Sequence, residues 1–224
     1  MVDSAIQIIP WYHNPSWWTA IGTIFLGLVA LIVAFSQESV NKCFRSTKLN
    51  SGIRLKSPDC HYIELTDQNG ARYPSYYVRV KITNEGKNVA KNIEIMINKC
   101  WQVKEDGTKE ELKKFLPMNL VWSHYGEITM SQILPHHFRH CDIGSFRLIP
   151  NNKVIFKIDT AVQPNRVEGG EYPNILYAGN YQLDLIIGAD NISTFQQSYK
   201  LSFDNNFYNT EEDMFTKNVK IEKV

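Results

Sequence analysis

Nineteen consecutive residues, 17–35, read WWTAIGTIFLGLVALIVAF and carry no ionisable group. As a helix rising 1.5 Å per residue, such a run spans about 28 Å, the thickness of a bilayer's hydrocarbon core. A helix packed on a globular core normally keeps one polar face, and this run has none. Trp11, Tyr12, Trp17 and Trp18 crowd its N-terminal end, as residues of an aromatic interface belt do. A cleaved signal peptide would need a basic leader, a shorter apolar stretch and a small-residue cleavage site. Residues 1–16 hold neither Lys nor Arg, and the run ends in Ala34-Phe35-Ser36-Gln37-Glu38. The sequence therefore predicts one transmembrane helix over 17–35, preceded by a short segment, 1–16.

All 24 Lys and Arg follow the span, and Asp3 is the only Asp, Glu, Lys or Arg before it. Lys42, Arg45, Lys48, Arg54 and Lys56 make 36–56 a basic juxtamembrane linker that would hold the helix end at anionic headgroups. The positive-inside rule then puts the N-terminus outside the cell membrane and the C-terminal part in the cytoplasm. Cys43, beside the span, is open to reversible acylation. On the helix, Ala20, Thr23, Gly27, Ala30 and Ala34 recur at spacings of three and four. This small-residue stripe would let a second helix approach and form a homo-oligomer, or simply face lipid.

Downstream the composition is that of a folded domain, with 43% hydrophobic and 21% charged residues overall. A net charge of +1 gives no footprint for nucleic acid. From about residue 57 the hydrophobic period is two. Val78, Val80 and Ile82 alternate with Arg79 and Lys81; Ile93, Ile95 and Ile97 repeat the pattern against Glu94 and Asn98. Val154, Phe156 and Ile158 repeat the pattern, as do Tyr181, Leu183, Leu185 and Ile187, and Tyr199, Leu201 and Phe203. Half-buried antiparallel strands produce this pattern. Turn residues separate the runs at Asn84-Glu85-Gly86, Asp106-Gly107, Pro150-Asn151-Asn152 and Gly188-Ala189-Asp190-Asn191. Seven or eight strands over 57–205 predict an all-β, two-sheet antiparallel sandwich. Residues 161–178 form the longest strandless stretch, and 206–224 read equally as a last strand or an acidic tail.

Two stretches resemble known sandwiches. Residues 78–97, VRVKITNEGKNVAKNIEIMI, are similar to the strand–turn–strand of bacterial immunoglobulin-like domains of the CARDB type. The resemblance implies that Asn84 and Gly86 make the turn, Gly86 with positive φ, and that Ala90 fits a close approach. Residues 176–183, LYAGNYQL, resemble the tyrosine corner, which implies that the Tyr181 hydroxyl, after Gly179, bonds back to upstream backbone. The fold implied is an immunoglobulin-like β-sandwich after one transmembrane helix. It implies no site residues, because such folds host many functions.

For chemistry, the densest cluster is Pro135-His136-His137-Phe138-Arg139-His140-Cys141-Asp142. His136, His137, His140 and Cys141 have the right ligand types for zinc, nickel or copper, and His61 beside Cys60 could add ligands. On a helical turn His136 and His140 would share a face; on a strand neighbours would point apart. Adjacent histidines are no metal signature, and Arg139 among them repels a cation. Cys43, Cys60, Cys100 and Cys141 form no C-x-x-C pair and read as free thiols. No G-x-S-x-G, H-E-x-x-H or phosphate-loop sequence occurs, so neither catalysis nor a cofactor is expected. Glu110-Glu111 and Glu211-Glu212-Asp213 read as solvated acids, and Gly169-Gly170 as a turn. Trp101 and Trp122 read as core or sheet-face residues. Tyr73, Tyr76, Tyr77, Tyr172 and Tyr177 are packing residues or a binding surface. The sequence thus predicts a membrane-anchored sandwich that binds a protein partner at the cytoplasmic face. The alternatives are an outward-facing envelope or adhesion module, and a metal sensor built on 136–141.

Overall fold

The computed structural model describes residues 15–44, 46–66, 70, 72–150, 152–167, 170 and 172–224, without the side chains of 15, 16 and 37–44. Trp11, Tyr12, Arg45, Asn151 and Gly169, and the side chain of Cys43, lie outside that description. The chain divides into two compact units that meet between Ser46 and Thr47.

The first unit holds one helix, α1 (Pro15–Phe44). Its stretch Trp17–Ser36 has a mean hydropathy of 2.3 and buries none of its surface within the chain. Apolar on every side, this stretch is long enough to cross a membrane. It continues beyond the expected boundary at residue 35, because Gln37, Glu38 and Lys42 favour helix as well as Leu does. The side chains of Ala20, Thr23, Gly27, Ala30 and Ala34 are exposed, and Thr23 Oγ1 donates back to Thr19 O at 2.9 Å.

The second unit is an all-β antiparallel sandwich, Thr47–Val224. Its strands, in chain order, begin with β1 (Leu49–Gly52), β2 (Cys60–Thr66), β3 (Arg72–Asn84), β4 (Ala90–Val103) and β5 (Lys109–Glu111). Next come β6 (Met118–Asn119), β7 (Val121–Trp122), β8 (Thr129–Ile133), β9 (Phe138–Ile149) and β10 (Lys153–Ile158). β11 (Ile175–Tyr177), β12 (Gly179–Ala189), β13 (Ile192–Phe203) and β14 (Lys220–Lys223) complete the set. The first sheet runs β1-β3-β9-β10-β11, with β2 also on β3 and β7 also on β9. The second runs β14-β13-β12-β4-β5, with β6 and β8 also on β4. Only β2, β3, β4, β9, β10, β12 and β13 reach six residues, which is why alternation finds seven or eight strands. The others are short pieces that share the edges of long strands.

Between the sheets lie Tyr76, Val78, Val80, Ile82, Trp122, Phe146 and Phe156 from one side and Ile93, Ile95, Ile97, Leu185, Ile187 and Tyr199 from the other, all at most 2% exposed. The Tyr199 hydroxyl bridges the layers to Ser51 Oγ at 2.9 Å. Three expectations are corrected, and the open choice at 206–224 falls to a last strand. The unit starts at Thr47, so β1 occupies what reads as linker. Residues 206–224 belong to the sandwich: Met214, Phe215 and Val219 are buried and β14 pairs with β13. The stretch 161–178 ends in β11, which pairs with β10. Gly86 is not among the described residues of positive φ; instead its N–H donates to Asn84 Oδ1 at 3.0 Å.

Asn84 itself is fully buried, and its Nδ2 donates to Asn88 O (2.7 Å) and Ile133 O (2.9 Å). Three bonds from one side chain hold the turn without left-handed backbone. Ala90 is fully buried opposite Ile133, where a larger side chain would collide with the core. The Tyr181 hydroxyl donates to Tyr177 O at 2.9 Å, and a Cβ on Gly179 would stand 3.5 Å from its ring, which is the geometry of a tyrosine corner.

Candidate functional site

The outer face of the first sheet carries the densest chemistry of the molecule. Along β3, Tyr77, Arg79 and Lys81 face away from the core, opposite Ser145, Asp142 and His140 of β9. His61 of β2 lies beside Tyr77. Strict alternation would not put Asp142 and Ser145, three residues apart, on one side. A bulge at Ile143 does so: Val78 pairs with Gly144 and Arg79 with Asp142, leaving Ile143 extra and turned into the core.

An outer sheet face is ordinarily wet, yet here Asp59, Ser75 and Ser145 are fully buried and Arg79 is 8% exposed. The segment before β2 reaches Arg79 through the Pro58 carbonyl, and the one after β7 reaches Asp142 through Ser123. Asp59 is the hub. Its Oδ2 accepts the Arg54 N–H and Nε–H at 3.1 Å each. Its Oδ1 accepts Arg54 Nη2 at 3.2 Å and His140 Nε2 at 3.0 Å. Burial pushes the carboxyl's pKa up, but the hydrogen bonds from Arg54 and His140 outweigh it and hold it below the ordinary value. Arg79 N–H donates to Asp59 O at 2.9 Å, and its Nη2 reaches the Pro58 carbonyl and lies 3.2 Å from His61 Nδ1. A guanidinium cannot accept, so His61 Nδ1 is the unprotonated nitrogen. Burial, then Arg79, pushes the His61 pKa down. Burial also pushes His140 down, against the pull of Asp59.

Beside this hub, Asp142 Oδ1 accepts Ser123 Oγ at 2.5 Å, and burial pushes its pKa up. Asp159, just past β10, is also pushed up by burial. Its Oδ1 lies 3.7 Å from Arg147 Nη2, and its Oδ2 is buried without a hydrogen-bond partner. The second sheet's outer face holds a matching carboxylate, Asp184, which takes Trp101 Nε1 (2.7 Å), Gln182 Nε2 (2.8 Å) and Ser198 Oγ (2.6 Å).

The 136–141 cluster does not converge. His136 sits in a turn with φ 60°, and His137 is exposed with Nδ1 2.9 Å from Pro135 O. His140 faces Asp59, whereas Cys141 faces the core and donates to Val121 O at 3.2 Å. Among the described residues no three His, Cys, Asp or Glu side chains could hold one metal ion. Cys60, Cys100 and Cys141 are free and buried. His140 and Asp59 resemble the imidazole and its orienting acid in a catalytic triad, but the neighbouring thiol points to the opposite face. Of the tyrosines, Tyr76 is core, its hydroxyl donating to Tyr208 O at 2.8 Å, while Tyr73, Tyr77 and Tyr172 stay on the outer side.

Arg54, Asp59, Arg79, Ser123 and Asp159 escape a reading of the sequence. Their partners lie up to 81 residues away, and no local pattern marks them. No protein-family model matches this chain, and neither a curated protein nor a solved structure matches it.

Proposed function

We propose that the protein is a single-span membrane protein whose sandwich binds another protein at the cytoplasmic face. The observation that carries this reading is the stretch Trp17–Ser36, apolar on all sides and with none of its described residues buried. The placing of all Lys and Arg after it supports the cytoplasmic side, as do three buried thiols that have formed no disulfide. A binding role is favoured over catalysis at the Asp59 hub, where both carboxylate oxygens are engaged by Arg54 and His140. A catalytic carboxylate would keep an oxygen for substrate. Self-association through the stripe Ala20, Thr23, Gly27, Ala30 and Ala34 would double the valency of the sandwich.

A protease-cleavable tag after Val224, tested on intact and on broken cells, examines the topology. Protection until the membrane is broken is the expected result. Cleavage from outside would refute it and favour an outward-facing envelope module. Cross-linking in intact cells, followed by capture of the tag, should then give a discrete adduct heavier than the monomer.

A further inference from the structure

At the end of the first sheet's outer face, beyond Asp159, lies a hollow of about 490 Å³. Its base is set by register: Arg147 of β9 opposes Ile155 of β10, which opposes Tyr177 of β11, and Lys157 opposes Ile175. Tyr73 of β3 and Tyr172, from the loop before β11, form two walls, and Ile155 and Ile175 supply apolar floor.

Among the described residues lining this hollow, the cations outnumber the acids. Arg147 is anchored: its Nε donates to Ser145 Oγ at 2.9 Å and its guanidinium lies 6.0 Å from the Tyr73 ring centre. Asp159 is the acid nearest to it, at 3.7 Å. Lys157, half-buried on the same face, has no hydrogen bond or ion pair with any described residue. Burial, then Arg147, pushes its pKa down, against the pull of Asp159. Among the described residues, Arg147 and Lys157 therefore share one acid, Asp159, in a partly desolvated hollow. A partly buried cation without a partner costs free energy that an incoming anion recovers. The volume falls within the range of small-molecule sites, about 300–1,000 Å³. The tyrosine walls select for a flat body, by stacking, over a bare ion.

We infer that this hollow binds a small organic anion, a phosphate or carboxylate group joined to a planar ring, with the anionic group between Arg147 and Lys157 and the ring against Tyr73 and Tyr172. The inference does not depend on the topology or on a protein partner.

Calorimetric titration of the full chain in nonionic detergent tests it, with phenyl phosphate and benzoate as probes and phenol and inorganic phosphate as the separated halves. At least one of the two anions should bind about tenfold or more tightly than phenol and inorganic phosphate. Lys157→Gln and Tyr172→Ala should each weaken it about tenfold or more, whereas Lys153→Gln, on the same strand but outside the hollow, should not. Thermal melts matching the native chain would show that the variants fold. No heat from either anion up to about 10 mM would overturn the inference. So would native affinity in both hollow variants, or inorganic phosphate binding as well as phenyl phosphate.

Discussion

Replacing Gly144 with alanine tests the bulge that aims the outer-face cluster. Gly144 follows the extra residue Ile143 and faces β10 without a side chain. A Cβ there would collide with the Lys157 carbonyl oxygen and stand 2.9 Å from Phe156 Cζ and 3.0 Å from Ile158 Cα. Carbon and oxygen normally approach to about 3.3 Å, so β9 and β10 must part by about 1 Å. The obstacle is backbone inside the ladder, where Lys157 opposes Ser145, so no side-chain rotation relieves it. One or two ladder bonds lost cost about 1–2 kcal/mol. Overpacking against Phe156 adds about 1–3 kcal/mol. A total of about 3 kcal/mol lowers the melting temperature by roughly 6–12 °C for a unit of this size. The assay is thermal unfolding of the full chain in detergent, followed by near-ultraviolet circular dichroism. Gly52→Ala is the control, since nothing lies within 4 Å of its Cβ position; it should stay within about 1 kcal/mol of the native chain. A Gly144→Ala protein that melts within about 2 °C of native would refute the account of the bulge.

Other predictions concern single groups. Burial pushes the Cys60 and Cys100 thiols up to about 12 and Cys141 higher than its ordinary value. At pH 8 only about one Cys60 in ten thousand is then thiolate. A Cys43→Ser protein should therefore react with an aromatic disulfide reagent at less than about 0.1 equivalent per hour when native, and at all three remaining thiols in urea; fast native labelling would contradict the burial. Tyr181→Phe removes the hydroxyl's bond to Tyr177 O, which should cost about 1 kcal/mol and be read as a shift of roughly 2–4 °C in melting. Asp142 is raised in the folded state, so the fold binds its proton more tightly than the unfolded chain does. Its effect on stability is absent below the unfolded value, near 3.8, and becomes unfavourable as pH rises through the folded value. Asp142→Asn should accordingly be more favourable at pH 7 than at pH 3.5 when denaturant midpoints are compared; the reverse order would show that the Ser123 bond dominates.

Much of the fold is legible along the chain because it is written in period two. Val78, Val80 and Ile82, or Tyr181, Leu183 and Leu185, need only their own neighbours to declare a face. Tyr181 and Asn84 are legible because their bonds are local, four residues back and two ahead. β9 is not legible: its bulge breaks the alternation at Ile143, and its outer side mixes His140, Asp142 and Ser145 with buried surroundings. β1, β11 and β14 are too short to show a period. The candidate cluster fails for another reason. Asp59 acquires its role from Arg54 five residues before it and His140 far along the chain, and neither spacing is a motif. The hollow depends on register between β9, β10 and β11, which alternation leaves undetermined by two residues either way.

The layer bridge from Tyr199 to Ser51 also sets a clock for synthesis. Ser51 waits 148 residues for Tyr199, and its carbonyl waits 172 residues for Lys223 Nζ, which it accepts at 2.9 Å. At about 5–20 residues per second, roughly 10–30 s pass between the making of the first strand and of the last. Until Met214, Phe215 and Val219 arrive, the core is missing part of its lining. Throughout that interval β1 is already fixed in sequence just beyond the apolar helix, while the strand edges it will help close stay open. The nascent chain is thus open to stray strand pairing during its own translation, before the sandwich exists.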